Sequence, residues 1–261
     1  MLAVIMFLLI APVVIALACL WLPLPACRAL SVASGVASLG LVAALAVAAS
    51  HRDLAYLGFL RIDALSAVFL LATGFLYAVV SVYCVGYLGD SAQDRYARRL
   101  WAGLNLFAWA MLAAPMMSSL GLLWVAVEVT TVISALLVAI EGSAGAAEAA
   151  WKYVLIASAG LGLALLATIF AYYAGAQVLG QSYDLAFAPL LHAAGRLPHA
   201  PVELAFVLAV LGFGTKMGLF PVHTWLPDAH SEAPTPVSAL LSGSLLAVSF
   251  YAILRFYQVA A

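Results

Sequence analysis

A helix that crosses the hydrocarbon core of a bilayer needs about 20 consecutive, mostly apolar residues. This chain supplies about eight such stretches in its 261 positions. They fall near Leu2 to Leu22, Ala29 to Ala49, Ala64 to Leu88, Leu100 to Ser118, Leu120 to Ile140, Trp151 to Tyr173, Val202 to Val222 and Pro236 to Tyr257. In lipid, backbone N–H and C=O groups must be satisfied within the protein, so single runs of this length dictate helices. The predicted fold is an all-α, polytopic transmembrane helix bundle of about eight spans. Hydrophobic residues make up 67% of the chain and charged residues 8%, and the mean hydropathy is +1.16. That composition leaves no stretch resembling a soluble domain.

Other classes drop out on similar grounds. A net charge of -1 provides no basic surface for nucleic acid. Cys19, Cys27 and Cys84 show no CxxC spacing and lie in or beside apolar runs, which reads as buried small hydrophobes rather than disulfides or a cluster site. The histidines occupy connections or flank the TWLPDA turn, whereas a b-type haem wants them facing one another within helices. No metal or cofactor site is expected. Met1 to Leu24 lacks a basic n-region and is long enough to span, so it reads as a retained first helix. Between Gly175 and Pro201, the segment Tyr183 to Ala194 suits a short interfacial helix. The arginines of GDSAQDRYARR favour a cytoplasmic position for that loop, with the amino terminus outside.

Against this background the buried charges stand out. A Lys or Asp at the centre of a membrane helix costs about 2.5–3.5 kcal/mol on insertion scales, which makes such residues functional candidates. Glu128 sits mid-span in LGLLWVAVEVTTVISALLVAI, with Trp124 and Thr131 as helical neighbours. Lys216 stands among Gly212, Gly214 and Gly218, five residues before Pro221. The proline ring conflicts with a helical carbonyl four residues earlier, so the helix is expected to break around Gly214, Gly218 and Pro221. A broken membrane helix exposes carbonyl dipoles that favour a cation. A buried lysine, unlike an arginine, can also exist without its proton. Two bland alternatives stand beside these readings: a Glu128 carboxyl that only hydrogen-bonds a facing helix, and a Lys216 that only pins the break. Lys152, with Glu148 four residues before it, fits either snorkelling to the interface or a buried relay. Thr235 and Pro236 read as the N-cap and first turn of the last span. Ser238, Ser242 and Ser249 fall on one face at helical spacing, and with His230 they are candidates for a hydrated path, packing being the competing use.

The run KMGLFPVHTWLPDAHSEAPTPVSALLSG, Lys216 to Gly243, resembles the signature of the antiporter-like, proton-translocating membrane subunits. That family occurs in respiratory complex I, multisubunit sodium/proton antiporters and membrane-bound nickel-iron hydrogenases. HTWLPDAHSEAPTPVSALLSG is most similar to the hydrogenase branch, the large membrane subunit of formate hydrogenlyase-type complexes. LWVAVEV, AWKY and GTKMG match the family's fifth-, sixth- and seventh-helix motifs. The resemblance implies leading helices over 1–99 and a five-helix proton-translocation repeat over 100–261, with a discontinuous seventh helix. It implies proton translocation by Glu128, Lys216 and Lys152, with no cofactor in this chain and redox centres in other subunits. Two departures matter. Ser242 or Ala247 stands where many members carry His or Lys, and the family's second inverted repeat is absent from these 261 residues. The expected partners are therefore the bilayer, other membrane subunits and a chain supplying the missing repeat, and the expected setting is a prokaryotic inner membrane. A sodium/proton antiporter subunit and a structural or assembly subunit are the alternative functions.

Overall fold

The computed structural model describes residues 1–89 and 94–261. Asp90 to Gln93, part of the arginine-bearing loop that guided the expected orientation, lie outside the described residues. The chain forms α1 (Leu2–Cys19), α2 (Leu24–His51), β1 (Leu54–Tyr56), β2 (Leu60–Ile62), α3 (Ala64–Leu88), α4 (Asp94–Ala113), α5 (Leu120–Val138) and α6 (Ala144–Leu179). It continues as α7 (Phe187–Ala193), α8 (His199–Met217), α9 (Trp225–Glu232), α10 (Thr235–Leu240) and α11 (Leu246–Ala260). Among the described residues, seven helices are long and apolar enough to cross a membrane, the last running continuously from Thr235 to Ala260. The expected span missing from these seven, Leu100 to Ser118, corresponds to α4. It falls short of that apolarity because its first turns carry Asp94, Arg95, Arg98 and Arg99, while its remainder is buried in the bundle.

The helices run up and down, so two end faces collect the connections. At one end Tyr96 on α4 donates to Glu141 beyond α5 at 2.6 Å, and Lys152 on α6 meets Asp228 on α9 at 3.0 Å. The start of α4, the α5–α6 turn and α9 therefore share a face. At the opposite end β1 and β2 form an antiparallel hairpin with Leu54 opposite Ile62, and Ser118 N–H donates to the Phe59 carbonyl at 3.0 Å. α7 docks there as well, Phe187 N–H donating to the Ser118 carbonyl at 2.9 Å. The interfacial helix anticipated over 183–194 is this shorter α7. The hairpin was not anticipated, because three-residue strands are too short to carry an alternating pattern.

The hairpin end is fastened by an ion pair that sequence reading missed. Arg255 on α11 is 1% exposed and grips Asp63, the N-cap of α3, through two guanidinium nitrogens at 2.6 and 2.7 Å. Asp63 also accepts from the Ser66 amide at 2.9 Å, and Tyr251 accepts from Arg255 Nε at 2.9 Å. Each charge thus has hydrogen bonds beyond its partner, which an ion pair needs if burial is not to outweigh attraction. Burial alone pushes the Asp63 carboxyl up, but the Arg255 hydrogen bond and charge, the Ser66 amide and Arg61 outweigh it and hold the pKa at about 2.

The α6–α8 contact decides where the site lies. A Cβ on Gly212 would come within 2.5 Å of the Ala164 nitrogen, and one on Gly160 within 2.5 Å of Thr215 Cβ, so these glycines let two backbones nearly touch.

Because removing one partner strands a buried charge, Asp63→Asn should cost about 3–5 kcal/mol in thermal unfolding of the purified chain. The carboxylate's contribution is complete above its unfolded pKa of about 4 and is lost as pH falls through about 2. Wild type should therefore keep a flat melting midpoint down to about pH 4 and lose it below, a dependence that Asp63→Asn blunts. Cysteines introduced at exposed Arg95 and Ser231 should react with an impermeant thiol reagent from the same side, and one at Arg52 from the other.

Candidate functional site

α8 stops one residue after Lys216, for a local reason. Gly218 adopts a left-handed conformation at φ +81°, open to glycine at little cost. Its N–H donates to the Thr215 carbonyl at 3.2 Å, and Leu219 N–H donates to the Gly214 carbonyl at 2.9 Å. That pair of bonds is the Schellman closure, which satisfies carbonyls a helix end would otherwise leave open. Trp225 Nε1 adds a further bond to Thr215 O at 2.9 Å. The expected break is present, with its mechanism corrected. Gly214 and Lys216 remain helical, Gly218 is the terminator, and Pro221 follows a helix that has already ended. The chain then turns back into α9, so α8 and α9 act as two halves of one interrupted element.

Helical side chains lean toward the helix amino terminus, so Lys216 projects away from the closed end into the space between α5 and α6. It is 0% exposed. Nζ donates to Thr131 Oγ1 on α5 at 2.7 Å and to the Tyr153 hydroxyl on α6. Tyr153 OH lies 2.7 Å from Ser134 Oγ, and Ser134 Oγ lies 2.6 Å from the Thr130 carbonyl. Donor counting orders this chain: an ammonium only donates, so Tyr153 accepts from it and passes its own proton to Ser134, which donates to the backbone. The Tyr153 ring centroid is 4.7 Å from Nζ, adding a cation–π contact, and packs on Trp225 with ring centroids 4.6 Å apart. The buried Nζ is thereby surrounded by hydroxyls and an aromatic face.

Glu128 lies close by without forming an ion pair. Among the described residues no nitrogen–oxygen contact within 4.0 Å joins it to Lys216. Its Oε1 accepts from Ser158 on α6 at 3.3 Å, and its buried Oε2 has no hydrogen-bond partner among the described residues. Ser158, the donor to Glu128, and Tyr153, the acceptor from Lys216, both lie on α6. Glu128 and Thr131, three residues apart on α5, therefore present a carboxylate and a lysine ligand on neighbouring parts of one helix face.

The remaining candidates separate. Lys152 is 47% exposed and pairs with Glu148 at 2.7 Å and Asp228 at 3.0 Å, so it lies outside the buried cluster. One residue along a helix is a turn of about 100°, and it is Tyr153 rather than Lys152 that reaches Lys216. His230 Nδ1 and Ser238 Oγ are 2.7 Å apart, joining α9 to α10. Ser242 is exposed and bonds its own helix at Ala239 O, whereas Ser249 is buried against Leu245 O. A π-helical turn over Leu241–Leu245 inserts a register shift between them, so the three serines do not share the face that uninterrupted α spacing predicts. In place of Ser242 that turn buries Ser244, which bonds Thr73 on α3 at 2.9 Å. No cluster of metal-ligating side chains occurs among the described residues.

The family described as NADH:quinone oxidoreductase/Mrp antiporter, transmembrane, matches residues 117–261, more than half the chain and all of this site. This chain belongs to that family. A hydrogenase-4 component F homolog from Methylacidiphilum infernorum is 35% identical over 207 residues, covering 76% of this chain and 43% of the relative. The chain thus spans under half the length of that relative. The fold agrees with solved members of respiratory assemblies. A membrane-bound sulfane sulfur reductase, described as an archaeal respiratory membrane complex, matches with TM-score 0.80 at 20% identity, covering 96% of this chain and 52% of that one. Respiratory complex I from Thermus thermophilus matches with TM-score 0.70 at 24% identity, covering 97% and 52%. The resemblance to antiporter-like subunits, including a hydrogenase relative, is borne out, as is the multi-pass membrane architecture.

Sequence reading marked Lys216 and Glu128 as charges in apolar surroundings, but not Tyr153, Ser134, Ser158 or Trp225. In this antiporter-type scaffold Tyr153, with Ser134 and Trp225 behind it, makes a buried lysine tolerable, while Ser158 donates to Glu128. Tyr153→Phe removes the acceptor while keeping the ring. With a charged hydrogen bond worth about 1.5–3 kcal/mol, the variant should unfold more readily by that amount. Unchanged melting would show that the hydroxyl is not solvating an ammonium.

Proposed function

We propose that this chain forms a proton half-channel in an ion-translocating membrane complex, with Lys216 as the proton carrier and Glu128 as the charge that controls it. One observation carries the reading: among the described residues, a fully buried lysine at an internal helix terminus is held only by hydroxyls and an aromatic ring, with a carboxylate near but not in contact. A structural pin would be expected to hold its cation in a direct ion pair, as Asp63 holds Arg255. A group that must give up and regain a proton is better served by neutral acceptors, which do not lock it in the charged form. The open Oε2 of Glu128 is the acceptor through which the carboxylate engages and releases the lysine side.

Protons enter, in this reading, from the face bearing Glu148, Lys152 and Asp228, where a polar cavity of about 190 Å3 adjoins α6 and α9. Lys152 serves that mouth, and its solvent-exposed pairs make it the least demanding of the three charges. The hydrogen-bonded His230 and Ser238 offer onward hydroxyl and imidazole groups, whereas Ser242 faces outward and takes no part. The complex is redox-driven, redox centres lie in other subunits, and a further chain or segment supplies the second repeat. The naming of the relatives as hydrogenase and quinone oxidoreductase components supports this setting.

Proton uptake by vesicles containing the assembled complex tests the assignment. Lys216→Met keeps side-chain length and burial while deleting the titrating group, and should abolish translocation in a protein that still assembles. Glu128→Gln should reduce it by about tenfold or more, on the order of 1.4 kcal/mol of lost control. Lys152→Met should reduce it by less than that. Wild-type pumping by assembled Lys216→Met would leave the lysine a pin for the broken helix.

A further inference from the structure

The face that carries α9 also holds a cavity that the proton site does not use. It has a volume of about 320 Å3 and is lined by Leu20, just past α1, and by Asp94, Arg95, Arg98 and Arg99 on the first turns of α4. Its charge is excessively positive for its surroundings. Among the described residues Arg98 makes a single ion contact, to Asp94 at 4.0 Å, and Asp94 is itself 73% exposed. Arg98 Nε is buried with no hydrogen-bond partner, and neither Arg95 nor Arg99 has an ion pair among the described residues. Among the described residues, three arginines at i, i+3 and i+4 thus line one opening with one weakly held carboxylate, Asp94.

The apolar surroundings say what kind of anion fits. Trp21 is 86% exposed immediately beside Leu20, and below it Ile10, Val14 and Leu17 form an exposed strip at i, i+4 and i+7 along α1. An exposed indole at a helix end is the side chain suited to the headgroup level of a membrane. The strip precedes Trp21 along α1, and the arginines sit with Leu20 at the end of that helix. Guanidinium forks match phosphate oxygens in bidentate geometry. We propose that this cavity binds the headgroup of an anionic phospholipid, its phosphodiester held by Arg95, Arg98 and Arg99 and its acyl chains lying along Ile10, Val14 and Leu17. The site is separate from the Lys216 cluster and does not depend on the chain moving protons.

Phenylglyoxal modification of individual arginines, followed by peptide mass spectrometry on the purified full chain, reads the site directly. In detergent micelles doped with phosphatidylglycerol, Arg95, Arg98 and Arg99 should react at least about fivefold more slowly than with phosphatidylcholine, the scale expected for one basic residue at an anionic surface. Arg52, at the opposite end, should show a smaller difference. Native mass spectrometry should find phosphatidylglycerol retained over phosphatidylcholine by wild type, and no such preference in R95Q/R98Q/R99Q. R95K/R98K/R99K, which keeps charge but loses the forks, should fall between them. Equal protection by both lipids would overturn the proposal. So would protection by inorganic phosphate matching that of phosphatidylglycerol, which would make this a soluble-anion site. Protection in native membranes that persists when a partner subunit remains and the anionic lipid is exchanged for phosphatidylcholine would assign the cavity to an acidic protein segment instead. The wild-type labelling decides the matter even if a triple variant does not fold.

Discussion

The arrangement turns on one lysine amine nitrogen held inside a membrane bundle with no carboxylate in contact among the described residues. A charge at that depth is costly unless it is solvated by the protein, and the surrounding elements are positioned to do so. α5 brings Thr131, α6 brings Tyr153 backed by Ser134, and α9 returns Trp225 to support the tyrosine ring. The close approach of α6 and α8 at Gly160 and Gly212 sets these distances. The Schellman closure at Gly218 lets the helix end inside the protein with its carbonyls satisfied, so the break requires no exposed backbone in lipid.

The hairpin end and the interior around Lys216 solve the problem of buried polar groups in opposite ways. At the hairpin end Arg255 and Asp63 are locked in bidentate contact, with further bonds to Ser66 and Tyr251. Such a pair holds α3 against α11 and has little freedom to change its protonation. Around Lys216 the acceptors are neutral, and the carboxylate stands off with one oxygen unpaired. The contrast within one chain sets a fastening apart from the lysine to which the proposed function assigns the proton. Lys152 belongs to neither kind, being shared between two carboxylates at a wet surface.

Much of the architecture was legible because membrane spans are written as length and hydropathy. The breaks between spans, the discontinuous element near Lys216 and the isolation of Glu128 all follow from single residues in apolar surroundings. What escaped was relational. α4 carries a charged first half whose role depends on which end face it joins. Arg255 carries no local signal of its role, because its partner Asp63 lies 192 residues away in sequence. The serine stripe failed because a single π-helical turn shifts the register between Ser242 and Ser249, and nothing in local composition announces that turn. Tyr153 was overlooked beside Lys152 because a charge draws notice in an apolar run and a tyrosine does not, although one helical step separates an exposed position from the buried one.

Solid-state nitrogen NMR of the Lys216 Nζ, in chain selectively labelled and reconstituted in lipid, tests the central claim most directly. The side chain is identified by loss of its signal in Lys216→Met. The account predicts that this nitrogen passes between ammonium and amine signals within the pH range in which the complex translocates protons. It also predicts that Glu128→Gln moves the midpoint of that change, because the carboxylate acts on the lysine through space. An Nζ signal that stays ammonium throughout, with no response to Glu128→Gln, would contradict it.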